Sequence, residues 1–213
     1  INGGTIMKQL FLCSYFAGVK DLFSDYAKEK NLEKKVLFIP TAGSKENYTA
    51  YIDEAQQTFR DLGFEIEILD IASCDREIVQ AKIFQSKILY VSGGNTFYLL
   101  QELKKKQLLP LIKEQIRDGL VYVGESAGAI ITAKDIDYNK LMDDKTVATE
   151  LSDTAGLGEV NFYILPHYGE EPFTDNSQKT FEMYKNQLSL MLMNNSQAVI
   201  VNGEERKVVS EQT

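Results

Sequence analysis

The segment that decides the fold is GLVYVGESAGAIITA, residues 119–133. Its first part, Gly119 to Val123, is apolar with β-branched and aromatic residues, which predicts a buried strand. Its last part, Ala127 to Ala133, is rich in small residues and is compatible with a helix. Between them, GESAG at 124–128 has the G-x-S-x-G pattern of a strand-to-helix elbow, which lifts a serine clear of a sheet. The segment therefore predicts a strand, a sharp turn that exposes Ser126, and a helix.

Apolar strand-like runs alternate with amphipathic helical stretches along the rest of the chain. Regular alternation of this kind favours parallel pairing of strands with helices on both faces. The expected fold class is therefore α/β, as a three-layer α/β/α sandwich with a mainly parallel sheet. We predict strands at 9–14, 35–41, 65–71, 87–92, 119–123 and 162–166, helices at 19–30, 47–62, 75–84, 96–105, 109–117 and around 178–193, and a final hairpin of 198–201 and 207–209.

The composition favours one domain with one core, because the 213 residues are 44% hydrophobic and contain no Pro-, Gly- or Ser-rich linker. We place this domain at 7–213 and expect 1–6 to be an extension, because Met7 resembles a natural start. The net charge of -8 comes without a basic stripe, so no nucleic-acid partner is expected. No run approaches the roughly 20 apolar residues of a membrane span and no signal peptide opens the chain, which predicts no membrane partner and a cytoplasmic location.

The two cysteines, Cys13 and Cys74, do not form a CxxC or metal-ligand pattern. Two cysteines in a chain of this size also do not make a disulfide framework. Neither lies in an elbow, so a cysteine nucleophile is not favoured. We therefore expect both to be buried or incidental thiols.

The catalytic candidates are a serine and the only histidine of the chain, His167. A serine hydroxyl becomes a good nucleophile when a base within hydrogen-bond reach takes its proton, and an imidazole is suited to that task. Ligands in open α/β sheets bind at the carboxyl ends of the strands, where Ser126 and His167 are both expected. The pattern therefore predicts Ser126 as the nucleophile and His167 as the general base.

The oxyanion of a tetrahedral intermediate needs two preorganised donors. One is expected to be the backbone N–H of Ala127, directly after the nucleophile, and the second that of Gly94 in the Gly93-Gly94 turn. The competing interpretation of that turn is a plain strand-to-helix connection, in which Asn95 caps the helix. For the third catalytic member, the adjacent Asp143 and Asp144 are favoured among the acids between Ser126 and His167, which are Asp135, Asp137, Asp143, Asp144, Glu150, Asp153 and Glu159.

Three motifs together resemble peptidase E, the aspartyl dipeptidase type of the S51 serine peptidases, a family that also includes cyanophycinases. They are SGGNTFYLL at 92–100, GESAGA at 124–129 and LPHY at 165–168. The resemblance implies a sandwich similar to class I glutamine amidotransferases, with no metal and no cofactor. It also implies Ser126 as nucleophile, His167 as base and an acid in the loop after the elbow, which fits Asp144 first and Asp143 next.

The resemblance also bears on the substrate. Its dipeptidases hold an N-terminal aspartate through an arginine in the helical stretch beyond the histidine, but 175–184 contains only Lys179 as a cation. We therefore expect a preference that is not strictly for aspartate, with the free N-terminus of the substrate recognised by acidic groups. The substrate-binding candidates are Glu125, Asn95, Glu170 and Lys179, with Glu171 as a further acid.

The leading hypothesis is a serine exopeptidase, similar to dipeptidases, that hydrolyses short peptides through an acyl-enzyme. One alternative is a small-molecule esterase, which would use the same elbow but whose HGGG-type oxyanion loop is missing here. Another is a non-catalytic relative that binds a small ligand. A homodimer is compatible with the sequence, which does not determine the oligomeric state.

Overall fold

The computed structural model describes residues 8–212. They form a seven-stranded sheet in the order β3-β2-β4-β5-β1-β8-β9, and a separate two-stranded sheet of β6 and β7. The strands are β1 Gln9–Cys13, β2 Lys35–Ile39, β3 Glu65–Ile68, β4 Ile88–Val91, β5 Val121–Glu125, β6 Tyr163–Leu165, β7 Leu190–Leu192, β8 Gln197–Asn202 and β9 Glu205–Ser210. The helices are α1 Lys20–Glu29, α2 Ala50–Asp61, α3 Arg76–Gln85, α4 Thr96–Lys105, α5 Leu109–Arg117, α6 Ala127–Ile130 and α7 Thr174–Tyr184.

The large sheet is mainly parallel. Strands β1 to β5 pair in parallel, whereas β8 pairs antiparallel with β1 and with β9. Successive residues of its inner strands enter two different hydrophobic clusters, because side chains alternate between the faces of a sheet. In β1, for example, Leu10 and Leu12 face one cluster and Phe11 faces the other.

The two clusters are covered by different helices. One contains buried residues of α3, α4 and α5, such as Ile83, Leu100 and Ile116. The other contains buried residues of α1 and α2, such as Phe23 and Phe59. The sheet therefore lies between two layers of helices, which confirms the predicted α/β sandwich with a mainly parallel sheet.

The predicted helix around 178–193 is wrong in its position. The helix α7 begins at Thr174 and ends at Tyr184, and Leu190–Leu192 is strand β7. Strand β7 pairs in parallel with β6. Neither of these two strands pairs with a strand of the large sheet. The strand that precedes His167 therefore belongs to a small second sheet and not to the central one.

The helix after the elbow is shorter than the predicted helical run. Helix α6 ends at Ile130, and the chain up to β6 contains only 3₁₀ turns and loops. The carbonyls of Ile131 and Ala133 accept hydrogen bonds from the N–H groups of Leu157 and Gly158. The returning loop thus satisfies carbonyls that a longer helix would have used.

Candidate active site

Ser126 lies on a strained turn between β5 and α6. Its backbone has φ 48° and ψ -105°, a combination that a residue other than glycine adopts only when its surroundings enforce it. The Ser126 N–H donates to the carbonyl of Cys13 at the end of β1. A Cβ at Gly128 would lie 2.1 Å from the carbonyl oxygen of Val91, so only glycine allows α6 to pass this close to β4. The predicted order of a strand, a sharp turn at Ser126 and a helix is therefore present.

His167 follows β6 and faces Ser126. Its Nε2 lies 3.1 Å from the Oγ of Ser126, which is within hydrogen-bond distance. The His167 N–H donates to the Oγ of Ser14 at 3.2 Å. The ring of Phe173 stacks on the imidazole, with 4.6 Å between ring centroids and 21° between the planes. The two residues that the sequence predicts as nucleophile and base are therefore in contact.

The third residue of the arrangement is Asn195, because its Oδ1 lies 2.7 Å from the Nδ1 of His167. The expectation that an acid, Asp144 first, contacts this nitrogen is wrong. Asp144 is exposed and its Oδ1 accepts from the N–H and hydroxyl of Thr146. Asp143 instead caps α4, where its Oδ2 accepts from the N–H and hydroxyl of Thr96.

The turn between β7 and β8 positions Asn195. Its N–H donates to Oε1 of Glu170 at 3.2 Å. Because β6 and β7 run in parallel, their carboxyl ends meet at one edge, and the residues that follow them can approach each other. Asn195 is not among the residues predicted from the sequence, because the residues of β7 are predicted there to lie in a helix. The apolar run LMLM at 190–193, followed by two asparagines, is the signal that could have indicated a strand end there.

The environment of His167 keeps its imidazole neutral. Burial lowers the pKa of His167 below its usual value of 6.5, and the Asn195 hydrogen bond and the negative charge of Glu170 oppose this shift only in part. A general base must be deprotonated to accept a proton. His167 therefore has the protonation state of a general base near neutral pH.

The two predicted oxyanion donors lie beside Ser126. Ala127 is the first residue of α6, so its N–H has no partner within the helix. Gly94 has φ 132°, and a Cβ there would lie 2.2 Å from the carbonyl oxygen of Ala42, so this turn requires glycine. A Cβ at Gly93 would lie 3.3 Å from the Cβ of Ser126, which shows how closely the turn approaches the serine. Among residues 8–212, neither the Gly94 nor the Ala127 N–H has a hydrogen-bond acceptor.

Most of the predicted substrate-binding side chains are engaged elsewhere. Glu125 is 1% exposed and lies beneath the elbow, so the prediction that it binds substrate is wrong. Asn95 caps α4, since its Oδ1 accepts from the Tyr98 N–H at 3.0 Å and its Nδ2 donates to the carbonyl of Asp144 at 2.9 Å. Lys179 is exposed on α7, and the hydrogen bonds of the Ser126 and His167 side chains do not involve it. Of this group, only Glu170 lies near the imidazole.

Between residues 8 and 212, no three His, Cys, Asp or Glu side chains form a group that could hold a metal ion. Cys13 and Cys74 are both free thiols, and Cys13 is buried. None of the helices in this range combines the length and the apolar character that crossing a bilayer requires.

Comparison with protein families gives the identity of the fold and its activity class. The model of "Peptidase family S51" matches residues 10–209, which is nearly the whole chain. The chain belongs to peptidase family S51. An uncharacterized peptidase of Pasteurella multocida is 43% identical over 201 residues, covering 94% of this chain and 96% of that protein. An uncharacterized peptidase of Listeria monocytogenes is 40% identical over 200 residues, covering 93% and 97%.

A solved structure supports the same assignment for this S51 peptidase. The crystal structure of a candidate peptidase E protein from Listeria monocytogenes is 39% identical and superimposes with a TM-score of 0.91, covering 97% of this chain and 100% of that chain. A protein named peptidase E from a Nostoc species is 29% identical over 181 residues, covering 82% of this chain and 72% of that protein. The sequence-based resemblance to the peptidase E type of family S51 is confirmed.

Proposed function

We propose that this S51 peptidase is a serine exopeptidase that hydrolyses short peptides through an acyl-enzyme. The observation that carries the proposal is the 3.1 Å approach of His167 Nε2 to the Ser126 Oγ on a strained elbow. A nucleophile and a base in this contact, with the base oriented by a third residue, are the arrangement that activates a serine.

In the proposed reaction, Ser126 Oγ attacks the carbonyl carbon of the scissile peptide bond while His167 Nε2 takes the Oγ proton. The carbonyl oxygen becomes an oxyanion that accepts from the Gly94 and Ala127 N–H groups. His167 then passes the proton to the leaving nitrogen as the C–N bond breaks. Water, deprotonated by the same imidazole, hydrolyses the ester on Ser126 and releases the product acid.

Asn195 gives this mechanism a neutral third member. Its Oδ1 accepts the Nδ1–H of His167, which leaves the lone pair of Nε2 facing Ser126. A neutral amide fixes the tautomer and the orientation of the ring, as in Cys-His-Asn proteases, but supplies no negative charge to the imidazolium. This agrees with a histidine whose pKa is lowered by burial.

The proposed substrate is a peptide with a free N-terminus whose first residue is not strictly aspartate. A desolvated carboxylate is usually held by the bidentate fork of an arginine, and α7 carries none. Lys179 is exposed on this helix and supplies only a point charge. Glu170 lies beside His167 and is the acid that we propose to face the ammonium group of the substrate.

Hydrolysis of matched dipeptides tests the proposal. We expect Ala-Leu and Met-Leu to be cleaved with kcat/KM within about tenfold of Asp-Leu, and N-acetyl-Ala-Leu to resist cleavage. The Ser126→Ala protein is the control for contaminating peptidases. A preference for Asp-Leu of roughly 100-fold, or about 2.7 kcal/mol, would overturn the proposed specificity. Equal cleavage of the acetylated peptide would overturn the exopeptidase assignment.

A further inference from the structure

Glu125, the residue before the nucleophile, is a buried carboxylate that the proposed mechanism does not use. We propose that Glu125 is a positioning residue whose ionised carboxylate holds together the backbone segments around Ser126 and so keeps the oxyanion hole competent. This inference rests on the serine peptidase function proposed above. It concerns a carboxylate that lies outside the contact between Ser126, His167 and Asn195.

Two donors from different segments converge on the Glu125 carboxylate. Its Oε2 accepts from the N–H of Phe16 in the turn after β1. Its Oε1 accepts from the hydroxyl of Tyr90 in β4 at 2.8 Å. The N–H of Gly93, in the turn between β4 and α4, lies close enough to lower the pKa of this carboxyl. Only an ionised carboxylate presents acceptors alone, so it can receive both bonds and attract the Gly93 N–H together.

Both turns that Glu125 holds carry parts of the site. Tyr90 lies in β4, which leads into the Gly93-Gly94 turn, so its bond to Glu125 and the attraction of the Gly93 N–H hold this turn next to Gly94, the proposed oxyanion donor. The turn after β1 contains Ser14, whose Oγ accepts from the N–H of His167. The negative charge at Glu125 thus aligns the oxyanion donor Gly94 and also Ser14, which holds the backbone of His167. The carboxylate itself acts through these residues and is not proposed to touch the substrate or the imidazole.

Protonation of Glu125 changes this arrangement. A protonated carboxyl carries an O–H donor, which would face one of the present donors instead of accepting from it. Burial raises the pKa of Glu125 to about 7, while the Phe16, Tyr90 and Gly93 donors lower it and the charge of Glu54 raises it. As the pH falls through about 7, the carboxylate takes up a proton and the hole loses its alignment.

The cysteine and tyrosine neighbours of Glu125 do not change charge in this range. Burial raises the pKa of the Cys13 thiol and of the Tyr15, Tyr51 and Tyr90 hydroxyls above their usual values, so all four stay neutral near pH 7. A further neighbour, Glu54 of α2, accepts the hydroxyl of Tyr15. Of Glu125 and these four neutral groups, Glu125 is therefore the one with a pKa near neutral pH.

The test measures phosphonylation of Ser126 by a fluorophosphonate, which needs no knowledge of the natural substrate. In this reaction the Oγ–P bond forms, the P–F bond breaks, fluoride leaves, and the Oγ proton passes to His167. Rate constants are measured from about pH 5 to about pH 9 for the wild type, Glu125→Gln and Glu159→Gln. The last is a matched control, because Glu159 is a buried glutamate whose carboxylate instead pairs with Arg117.

We expect the wild-type rate to fall with a midpoint near 7. At about pH 8, Glu125→Gln should react at least about 10-fold more slowly, since losing one oxyanion donor outright costs about 10²- to 10³-fold. Its residual rate should fall with a midpoint below 6.5, set by His167 alone. Glu159→Gln should match the wild type. A Glu125→Gln protein with the wild-type rate and midpoint would overturn the inference.

Two milder variants keep the test decisive if Glu125→Gln does not fold. Tyr90→Phe removes a donor to the charged carboxylate, so the midpoint of the pH–rate profile should rise. Glu54→Gln removes a charge that repels the carboxylate, so the midpoint should fall. Unshifted midpoints in both variants would overturn the inference about Glu125 but not the proposed peptidase function. Failure of the wild type to react at any pH would instead overturn the proposed function, and this inference with it.

Discussion

Replacing Asn195 by alanine removes the amide oxygen that, in the proposed mechanism, accepts the Nδ1–H of His167. The bond is 2.7 Å long and joins half-buried groups, so the change leaves a polar N–H poorly paired. Leaving such a group unsatisfied costs about 1–3 kcal/mol, and each 1.36 kcal/mol is about tenfold in rate. We expect kcat to fall roughly 5- to 150-fold with little change in KM, because Asn195 acts through His167.

The assay is steady-state hydrolysis of Ala-Leu by purified proteins, with thermal unfolding as a check on folding. Asn194→Ala is the matched control, since Asn194 lies in the same turn but its Oδ1 accepts from the Ser196 N–H. Asn195→Asp places a carboxylate at Nδ1, which should raise the pKa of His167 and move the acid limb to higher pH. An Asn195→Ala protein with the wild-type kcat, or an equal loss of kcat in Asn194→Ala, would refute the reasoning.

The remaining predictions concern residues around this centre. Asp144→Asn should keep kcat/KM within about threefold, because asparagine caps a helical turn as well as aspartate does; a 100-fold loss in the dipeptide assay would restore Asp144 to catalysis. Gly94→Ala should lower the free energy of unfolding, measured in urea, by about 1–3 kcal/mol more than Gly63→Ala does. Both glycines have a positive φ, but only a Cβ at Gly94 would clash, at 2.2 Å from the carbonyl group of Ala42. Equal losses in the two variants would contradict the clash. The pKa of Glu125 is about 7 in the folded protein and about 4.5 in the unfolded chain, so the folded state loses stability as the pH rises between these values. The free energy of unfolding of the wild type should therefore fall by about 3 kcal/mol more over this range than that of Glu125→Gln. Free energies from urea unfolding that change with pH in the same way in both proteins would contradict this.

The parts of the fold that the sequence predicts are those set by local pattern. The buried strands β1, β2, β4 and β5 show continuous apolar runs, because each is covered on both faces. The elbow is predictable because its glycines permit close backbone approach around Ser126. Helices α4 and α5 match their predicted ranges, 96–105 and 109–117, since capping and proline signals mark their ends.

The missed features depend on contacts distant in sequence. Strand β7 has only three residues and is defined by its pairing with β6, so its apolar run also fits the end of a helix. Asn195 meets His167 only because those two strands end together. The burial of Glu125 depends on Phe16, Tyr90 and Gly93, which no local pattern connects to the elbow. The third member of the site therefore required the structure.

The most direct test of the central claim is the position of a covalent label. The wild type is treated with a fluorophosphonate near pH 8, digested and mapped by mass spectrometry, beside Ser126→Ala and His167→Gln. The account predicts one adduct, on Ser126, that is absent from Ser126→Ala and forms at least 10²-fold more slowly in His167→Gln, by analogy with the loss of a catalytic base. An adduct on another residue, or dipeptide hydrolysis that survives in Ser126→Ala, would contradict it.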